Sequence, residues 1–397
     1  MTIPRHRRHI SPVAAVLGRP GSGRGHPEPA APTRRTVLAL TAAAAATVGL
    51  GSTGMATAAA AGNPAKPGTL TKPAKPAPAL NRPKPSWRIK PTWDNTGVPA
   101  GWQPASTVTG TNGRLTLTTD NAVYEDVRFA CAVDVQACNV TFRRCAFVGG
   151  DPIGAYVGLL RFTDTRTSNA LVEDCTVRPD TPSVQWNGIT GHDFAARRVQ
   201  LRDVVDCFEV FNTANPDGAT NVLIEGCWGG DFHFLSSATA PAGLSGWPSD
   251  RKTHNDWCQI EGGSGTHLHY NTVASFAGPT SDDQLGVLPP GRQMLSNLMI
   301  KGDVGFISDL NIHDNWCSGG NFAFNLADRT NAPARPLSPD GRSLGRIQKN
   351  KFATGAQSFM NRGISMPPTA HVDTGSKASE FNVWDGVWTA IRVYHNG

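Results

Sequence analysis

The sequence predicts an all-β fold, a solenoid in which short parallel strands stack as successive turns. Three observations support this prediction. After about residue 110 no stretch keeps a helical periodicity, short β-rich runs alternate with Gly, Asn, Asp and Pro, and one six-residue phrase recurs along the chain. Of 397 residues, 42 are Gly and 30 are Pro, which suits a chain of short strands joined by many turns.

The first 61 residues are predicted to be a signal peptide. Arg34 and Arg35 precede an uncharged, Ala-rich run that ends near Leu50, and small residues follow up to Ala61. A positive segment, a short apolar segment and a small-residue cleavage site form a secretory signal. The apolar run is shorter than the ~20 residues that span a bilayer, which disfavours a transmembrane anchor. The paired arginines resemble the bacterial twin-arginine signal, which implies export of a folded protein and an extracellular location.

Residues 62–90 are predicted to be a disordered linker rich in Pro and Lys. Pro recurs every few residues with Lys or Arg between, a composition that favours extended polyproline II and cannot form a core. Residues 91–397 then form the domain. Residues 91–110, which include Trp93 and Trp102, are expected to cap its first turn, because an open solenoid end exposes strand edges.

The charge of the chain is divided between its two parts. The whole chain has 37 Lys+Arg and 31 Asp+Glu, a net of +6. Residues 1–90 contain 14 basic residues and one acid, Glu28, a net of +13, which leaves 23 basic and 30 acidic residues, a net of −7, for residues 91–397. The domain is therefore acidic, and no nucleic-acid partner is expected.

The recurring phrase consists of an apolar residue, two variable residues, a key residue, an outward residue and a second apolar residue. Its spacing varies from 18 to 44 residues, which indicates constant strands joined by variable loops. The key column passes from Val and Cys to Asn, so a buried apolar stack is expected to continue as an Asn ladder. The eight key positions are Val127, Cys145, Cys175, Val199, Cys227, Asn271, Asn315 and Asn350.

This pattern resembles the right-handed parallel β-helix of the pectate-lyase-like superfamily, over roughly residues 110–395. The resemblance implies a solenoid of about 8–10 turns with rungs about 4.8 Å apart. A β-propeller is disfavoured because its blades recur at regular intervals. The superfamily includes polysaccharide lyases, glycoside hydrolases, uronate epimerases and non-catalytic surface proteins, so the fold alone does not determine the chemistry.

The eight cysteines first suggest disulfides, as in other exported proteins. Their register argues otherwise, because Cys145, Cys175 and Cys227 share the key column, where a free cysteine behaves as a small hydrophobe. Cys131 and Cys138 are the best candidates for a local disulfide. No CxxC pair is present, so a zinc site is not expected.

A second set of strands is expected to hold the functional site. Alternation places one column inward and its neighbours outward. The outward columns bring Glu209, Gln259, Glu261 and Lys301 to one patch, with Trp186 and Trp257 exposed on the same side and Asp206 and Asp256 equivalent on adjacent turns. The inward column is predicted to be Ile189, Val210, Ile260, Ile300, Phe324 and Ile364.

This patch suits a polysaccharide. Sugar rings stack on indole rings such as those of Trp186 and Trp257, and Gln259 can bind hydroxyl groups. The preceding loop adds three further candidates, Arg251, Lys252 and His254.

Lyase chemistry on a uronate requires a base and a group that neutralises the carboxylate. Lys301 or His254 is the candidate base for the C5 proton, and Arg251, Lys252 or a calcium ion neutralises the carboxylate. Asp206 and Asp256 are the candidate calcium ligands, since calcium prefers oxygen ligands.

The acidic side chains of this patch are also compatible with glycoside hydrolysis or with a purely structural role. Glu209 and Glu261 are the paired carboxyls that glycosidic hydrolysis needs. The resemblance does not extend to polygalacturonase-type hydrolases, because the Asp282-Asp283 pair lies outside the strand columns. In a structural interpretation, Glu261 and Lys301 are only a surface ion pair, and Asp206 and Asp256 only cap turns.

The leading functional hypothesis is a secreted polysaccharide lyase acting on a uronate-containing glycan. The alternatives are a non-catalytic cell-wall or glycan-binding protein, a hydrolase or uronate epimerase, and a scaffold without a ligand. An extracellular polysaccharide is the expected partner, calcium is the only candidate cofactor, and a monomer is expected. Because the domain is acidic, a uronate needs local cations to bind.

Overall fold

A computed structural model describes residues 89–151, 157–232, 253–274, 296–318, 322–329, 334, 336–352, 364–384 and 393–395. The predicted signal peptide and linker lie outside the described residues, apart from the last two linker positions. The described part contains 28 β-strands and two 3₁₀ turns, Pro339–Gly341 and Ala378–Glu380. No helix within this part is long and apolar enough to cross a membrane.

The strands follow one another in a fixed cycle of three. In chain order they are β1 (Ser106–Val108), β2 (Arg114–Leu117), β3 (Val123–Glu125), β4 (Val127–Phe129), β5 (Ala132–Val135), β6 (Thr141–Arg143), β7 (Ala146–Phe147), β8 (Val157–Phe162), β9 (Ala170–Glu173), β10 (Thr176–Val177), β11 (Trp186–Gly191), β12 (Phe194–Arg197), β13 (Gln200–Arg202), β14 (Phe208–Val210), β15 (Ala219–Glu225), β16 (Trp228–Gly230), β17 (Asp256–Ile260), β18 (Gly263–His269), β19 (Thr272–Val273), β20 (Ser296–Lys301), β21 (Ile307–His313), β22 (Trp316–Cys317), β23 (Phe322–Ala327), β24 (Gly345–Gln348), β25 (Lys351–Phe352), β26 (Ile364–Met366), β27 (Val383–Trp384) and β28 (Val393–His395).

Each cycle of strands forms one rung, and the rungs stack into three parallel sheets. Sheet A contains β1, β4, β7, β10, β13, β16, β19, β22, β25 and β27; sheet B contains β2, β5, β8, β11, β14, β17, β20, β23, β26 and β28; sheet C contains β3, β6, β9, β12, β15, β18, β21 and β24. Every strand pairs in parallel with the strand one rung further along. The fold is a right-handed parallel β-helix of ten rungs, as predicted.

The recurring phrase is confirmed residue by residue in sheets C and A. In sheet C, Tyr124 pairs with Phe142, and this register continues to Ile347. In sheet A, Phe129 pairs with Phe147, and their rings stack with centroids 5.0 Å apart. The apolar residues of the phrase fill the interior of the solenoid, where stacking places equivalent side chains above one another.

From Cys227 onward the key column is a continuous ladder of side-chain-to-backbone hydrogen bonds. The amide of Asn271 donates to the carbonyl of Ile224 at 2.9 Å, and its Oδ1 accepts the backbone N–H of Cys227 at 2.9 Å. Asn315, Asn350 and also Asn382 repeat this pattern in the following rungs. The predicted Asn ladder is confirmed, and it is one residue longer than the sequence indicated.

The cysteines of the key column make the same pair of contacts as the asparagines. The Sγ of Cys227 accepts the backbone N–H of Val199 at 3.4 Å and donates to the carbonyl of Ala196 at 3.4 Å. These two backbone groups are equivalent to those bound by Asn271 one rung later. A thiol therefore replaces the amide at this position as a small side chain that both donates and accepts.

All eight cysteines are free thiols. The expected disulfide between Cys131 and Cys138 is therefore wrong. Cys131 is buried in the core, whereas Cys138 is half-buried and its Sγ donates to the carbonyl of Arg166 at 3.2 Å. The two side chains lie in different environments, and their closeness in sequence does not reveal this. Burial raises the pKa of Cys131 to about 11 and that of Cys227 to about 12.

A ladder of alternating charges runs along the outer face of sheet C. Its outward column reads Glu125, Arg143, Glu173, Arg197 and Glu225 over five rungs. The residue after each strand has positive φ and repeats the alternation over four rungs, as Asp126, Arg144, Asp174 and Arg198. We call these two columns the charge ladder.

Opposite charges of the charge ladder form short ion pairs between rungs. Arg144 binds both carboxylate oxygens of Asp126, at 2.9 and 2.8 Å, and Arg198 binds those of Asp174 at 2.8 and 2.9 Å. The hydrogen bonds that Arg144 donates to Asp126 raise the pKa of Arg144 further above its ordinary value. Bidentate pairs of this kind are the strong form of a surface ion pair.

Residues 93–102 follow the side of sheet A. The amide of Gln200 donates to the carbonyl of Trp93, and the backbone N–H of Val98 donates to Thr176 Oγ1 at 3.1 Å. Trp102 donates its indole N–H to Asp126 at 3.0 Å. The segment therefore contacts rungs one, four and five from outside, and the expected cap over the first turn stays a prediction.

Candidate functional site

The predicted site lies on the outer face of sheet B, where the central part of the register is confirmed. Val210 pairs with Ile260 and Ile260 with Ile300, which places Glu209 beside Gln259 on neighbouring rungs. The predicted equivalence of Asp206 and Asp256 also follows from this register. The centre of the patch was therefore placed correctly from the sequence.

The register differs from the prediction at both sides of this centre. Ile189 pairs with Phe208 rather than Val210, and Phe324 pairs with Leu298 rather than Ile300. Each difference is a shift of two residues, which keeps inward residues inward but replaces the outward neighbours. The outward column is Arg161, Thr190, Glu209, Gln259, Met299, Asn325 and Ser365.

Three carboxyl side chains, those of Asp206, Glu209 and Asp256, form an acidic cluster on rungs five and six. Asp206 and Asp256 are fully buried, and Glu209 is 9% exposed. Asp206 Oδ1 accepts the backbone N–H of Asp256 at 2.8 Å, and Gln259 Nε2 donates to Asp256 Oδ2 at 2.7 Å. The three carboxyls all raise the pKa of the Cys258 thiol, after the larger effect of its burial, which shows how close together they lie.

Glu261 and Lys301 continue the face just beyond the acidic cluster. The backbone N–H of Glu261 donates to the carbonyl of Val210 at 2.9 Å, so the ladder extends one residue past β17. Both side chains are half-buried. Lys301 Nζ lies 3.3 Å from Asp303 Oδ2, an ion pair within the turn that follows β20.

The two tryptophans of the predicted site are not exposed. The side chains of Trp186 and Trp257 have 0% and 1% of their surface accessible, so the prediction that they present a stacking surface for sugar rings is wrong. Trp257 lies against the backbone of Gly229 in sheet A, and Trp186 lies beside Gly149. The glycines leave room that the indole rings fill, which alternation along one strand does not reveal.

The loop before β17 is described only in part. His254 is half-buried between the buried Thr253 and Asn255. Asn255 is fixed by a hydrogen bond of 3.0 Å from Nδ2 to the carbonyl of Val205. Arg251 and Lys252 lie outside the described residues, so their predicted substrate-binding role stays a prediction.

The calcium-binding role predicted for Asp206 and Asp256 stays a prediction. One oxygen of Asp206 accepts a backbone N–H and one oxygen of Asp256 accepts the Gln259 amide, so each carboxylate is held in part by the protein. Within the described ranges no three His, Cys, Asp or Glu side chains are arranged to hold a metal ion.

A histidine on the same face was not among the predicted site residues. His192 follows β11, is 4% exposed, and its Nδ1 lies 2.7 Å from Asp193 Oδ2. Asp193 is fixed in turn by a hydrogen bond of 2.8 Å from Asn221. The Nε2 atom of His192 has no hydrogen-bond partner among the described residues. The adjacent His-Asp pair was visible in the sequence, but its burial was not.

Comparisons with known proteins give no relative. No family model, no curated protein and no solved structure matches the chain.

Proposed function

We propose that this chain is a secreted, carbohydrate-active β-helix that hydrolyses a polysaccharide on the outer face of sheet B. The observation that supports the proposal is the placement of Glu209 and Glu261 on adjacent rungs of one face, with Glu209 beside the two buried aspartates. The twin-arginine-type leader and the linker of the sequence agree with an extracellular substrate.

The backbone spacing of the two glutamates is compatible with the carboxyl separation of an inverting glycosidase. Glu261 lies one rung and two residues from Glu209, which places their Cα atoms about 8 Å apart for a rung spacing of ~4.8 Å and a rise of ~3.3 Å per residue. Inverting enzymes hold their carboxyls about 6.5–9.5 Å apart, so that a water molecule fits between one carboxylate and the sugar.

The surroundings of the two glutamates suit different roles. A general acid donates a proton to the glycosidic oxygen, and we assign this role to Glu209, the buried glutamate next to Asp206 and Asp256. Glu261 is half-buried and further from the two aspartates, which suits a carboxylate that activates water.

The row of polar side chains along sheet B suits a polymer rather than a small molecule. The outward column supplies polar side chains on neighbouring rungs, including Thr190, Gln259 and Asn325. Side chains at regular rung spacing can donate and accept hydrogen bonds along an extended chain of sugar hydroxyls.

A lyase acting on a uronate is the second candidate, and Lys301 favours it. Its ammonium group lies one rung from Glu261 on the same outer face, where a cation can neutralise a uronate carboxylate. His254 remains the candidate base for the C5 proton. This candidate does not depend on a calcium ion.

The test is an assay of the secreted domain on a panel of neutral and uronate polysaccharides. We expect new reducing ends without absorbance near 235 nm, and NMR of the first products should show inversion at the anomeric carbon. Glu209→Gln and Glu261→Gln should each lower kcat by at least about 100-fold. Glu125→Gln, in the first rung of sheet C, is the matched control and should keep full activity.

Two other results would contradict the proposed hydrolysis. Reducing ends accompanied by absorbance near 235 nm, and lost in Lys301→Ala, would show a lyase. Polysaccharide binding without any cleavage, unchanged in Glu209→Gln, would show a non-catalytic glycan-binding protein.

A further inference from the structure

The charge ladder on sheet C changes at its C-terminal end. Over rungs one to five every arginine of the ladder is ion-paired; Arg143 and Arg197, for example, lie 3.3 and 3.2 Å from Glu173 and Glu225. In rungs six to eight the outward column continues as His269, His313 and Gln348.

The neighbouring columns bring two cations to this end that have no acidic partner among the residues described. Arg346 lies in the column next to Gln348, and Lys349 occupies the positive-φ position that Arg144 and Arg198 occupy earlier. The Nε atom of Arg346 donates to Asn311 Oδ1 at 2.7 Å. Among the described residues, the terminal nitrogens of Arg346 and the Nζ of Lys349 have no hydrogen-bond or ion-pair partner.

These two cations line a cavity of about 190 Å³, which we call the C-face groove. His313 and Tyr270 complete its wall, together with Asp314 and Gln348. Arg346 also lines a second cavity of about 430 Å³, whose other groups are largely hydroxyl, amide and carboxylate. The two cavities are therefore neighbours, and together they have the volume of a site for a small organic ligand.

The wall of the C-face groove combines charge with flat rings. His269 and His313 stack with centroids 4.9 Å apart and an interplanar angle of 6°, and Tyr270 meets both at a steep angle. His313 Nδ1 is 2.7 Å from Asp314 Oδ2, which fixes the ring. Flat rings beside hydrogen-bonding groups suit a sugar ring, and a guanidinium with free terminal nitrogens suits a carboxylate.

We propose that the C-face groove binds a carboxylated sugar, with the carboxylate held by Arg346 and Lys349 and the sugar ring against His313. The cavity is larger than an inorganic anion requires, and the second cavity offers polar groups for further hydroxyls. This site lies on a different sheet from the acidic cluster and does not depend on the proposed hydrolysis. It supplies the local cations that an acidic domain needs to hold a uronate.

The experiment is an NMR titration of the full secreted domain with sodium glucuronate, with glucose, inorganic phosphate and inorganic sulfate as separate probes. We expect glucuronate to shift the ring signals of His313, and glucose to leave them unchanged. Arg346→Gln and Lys349→Gln should each weaken glucuronate binding at least fivefold, and the double variant should abolish it. Both side chains are exposed, so the variants are expected to fold, and the melting temperature checks this.

Two controls separate this site from the others. Arg143→Gln removes a paired arginine of the same sheet and should leave glucuronate binding unchanged. Glu209→Gln should also leave it unchanged, so that failure of the proposed hydrolysis does not affect the result. The proposal is wrong if the double variant still binds glucuronate, or if phosphate or sulfate binds as tightly as glucuronate, which would show a simple anion site.

Discussion

Replacing Asn315 in the key column tests whether the ladder stabilises the solenoid through its hydrogen bonds. Asn315 is 2% exposed, and its side chain takes part in four hydrogen bonds. Its Oδ1 accepts from the backbone and the amide of Asn271, both at 3.0 Å, and its Nδ2 donates to the carbonyl of Leu268 at 3.0 Å and to Asn350 Oδ1 at 2.8 Å. At about 1 kcal/mol for each net hydrogen bond, Asn315→Val should cost about 4 kcal/mol.

Asn315→Cys is the matched variant, because the same column already uses cysteine. Cys227 accepts a backbone N–H and donates to a carbonyl, so a thiol at position 315 can keep two of the four contacts. We therefore expect Asn315→Cys to cost about 2 kcal/mol, half the loss of the valine variant.

Urea unfolding followed by circular dichroism measures the two losses, with the m-value checked for two-state behaviour. Hydrogen exchange at the backbone N–H of Asn271 gives a local measurement, which should accelerate more in the valine than in the cysteine variant. Equal losses in the two variants, or a loss below about 1 kcal/mol for valine, would refute the hydrogen-bond explanation and would leave packing as the main contribution.

Three further predictions concern protonation, thiol reactivity and backbone strain. Burial, followed by the neighbouring His313, lowers the pKa of His269 from 6.5 to about 4. Below pH 6.5 the folded state thus binds fewer protons than the unfolded state. Its free energy of unfolding should therefore fall as the pH drops from 6.5 to 4, by at most about 3 kcal/mol before discounting for solvent exposure. In His269→Gln the free energy of unfolding should depend less on pH over this range. Without reductant, Ellman's reagent should modify Cys138 in the folded protein and the seven buried thiols only in urea, because burial disfavours the thiolate. Fewer than eight reactive thiols in urea would indicate a disulfide. Gly191→Ala should cost about 3 kcal/mol in urea unfolding, because φ is +119° and the new Cβ would lie 2.1 Å from a carbonyl oxygen, whereas Gly101→Ala, with φ +73° and open space, should cost about 1 kcal/mol.

The recurring phrase made most of the fold predictable. Its apolar positions, such as Phe142 and Phe147, define two strands and the turn between them, and they recur in every rung of sheets C and A. The key position identified the ladder because Cys and Asn, small side chains that both donate and accept hydrogen bonds, recur there beside Val127 and Val199. These features depend on neighbours close in sequence and on a repeat, so they are visible without coordinates.

The register of sheet B was harder to predict, because its strands are joined by long and variable connections. A shift of two residues preserves the inward and outward pattern, so Phe208 and Val210 are equally acceptable partners for Ile189 from the sequence. Burial of Trp257 depends on Gly229, which belongs to another sheet. The sequence shows the positive charges of Arg346 and Lys349. Whether a carboxylate lies close enough to pair with them depends on which residues occupy the neighbouring rungs.

The sequence by itself determined the all-β solenoid, the stacked phrase with its Asn ladder, and the central neighbours Glu209 and Gln259. Each follows from alternation and repetition, which act along the chain. Only the tertiary structure decided which tryptophans are buried, that all eight thiols are free, and where acids and cations meet across rungs. These outcomes depend on residues far apart in sequence that parallel stacking brings about 5 Å apart, and their pairing is decided by register and packing rather than by local pattern.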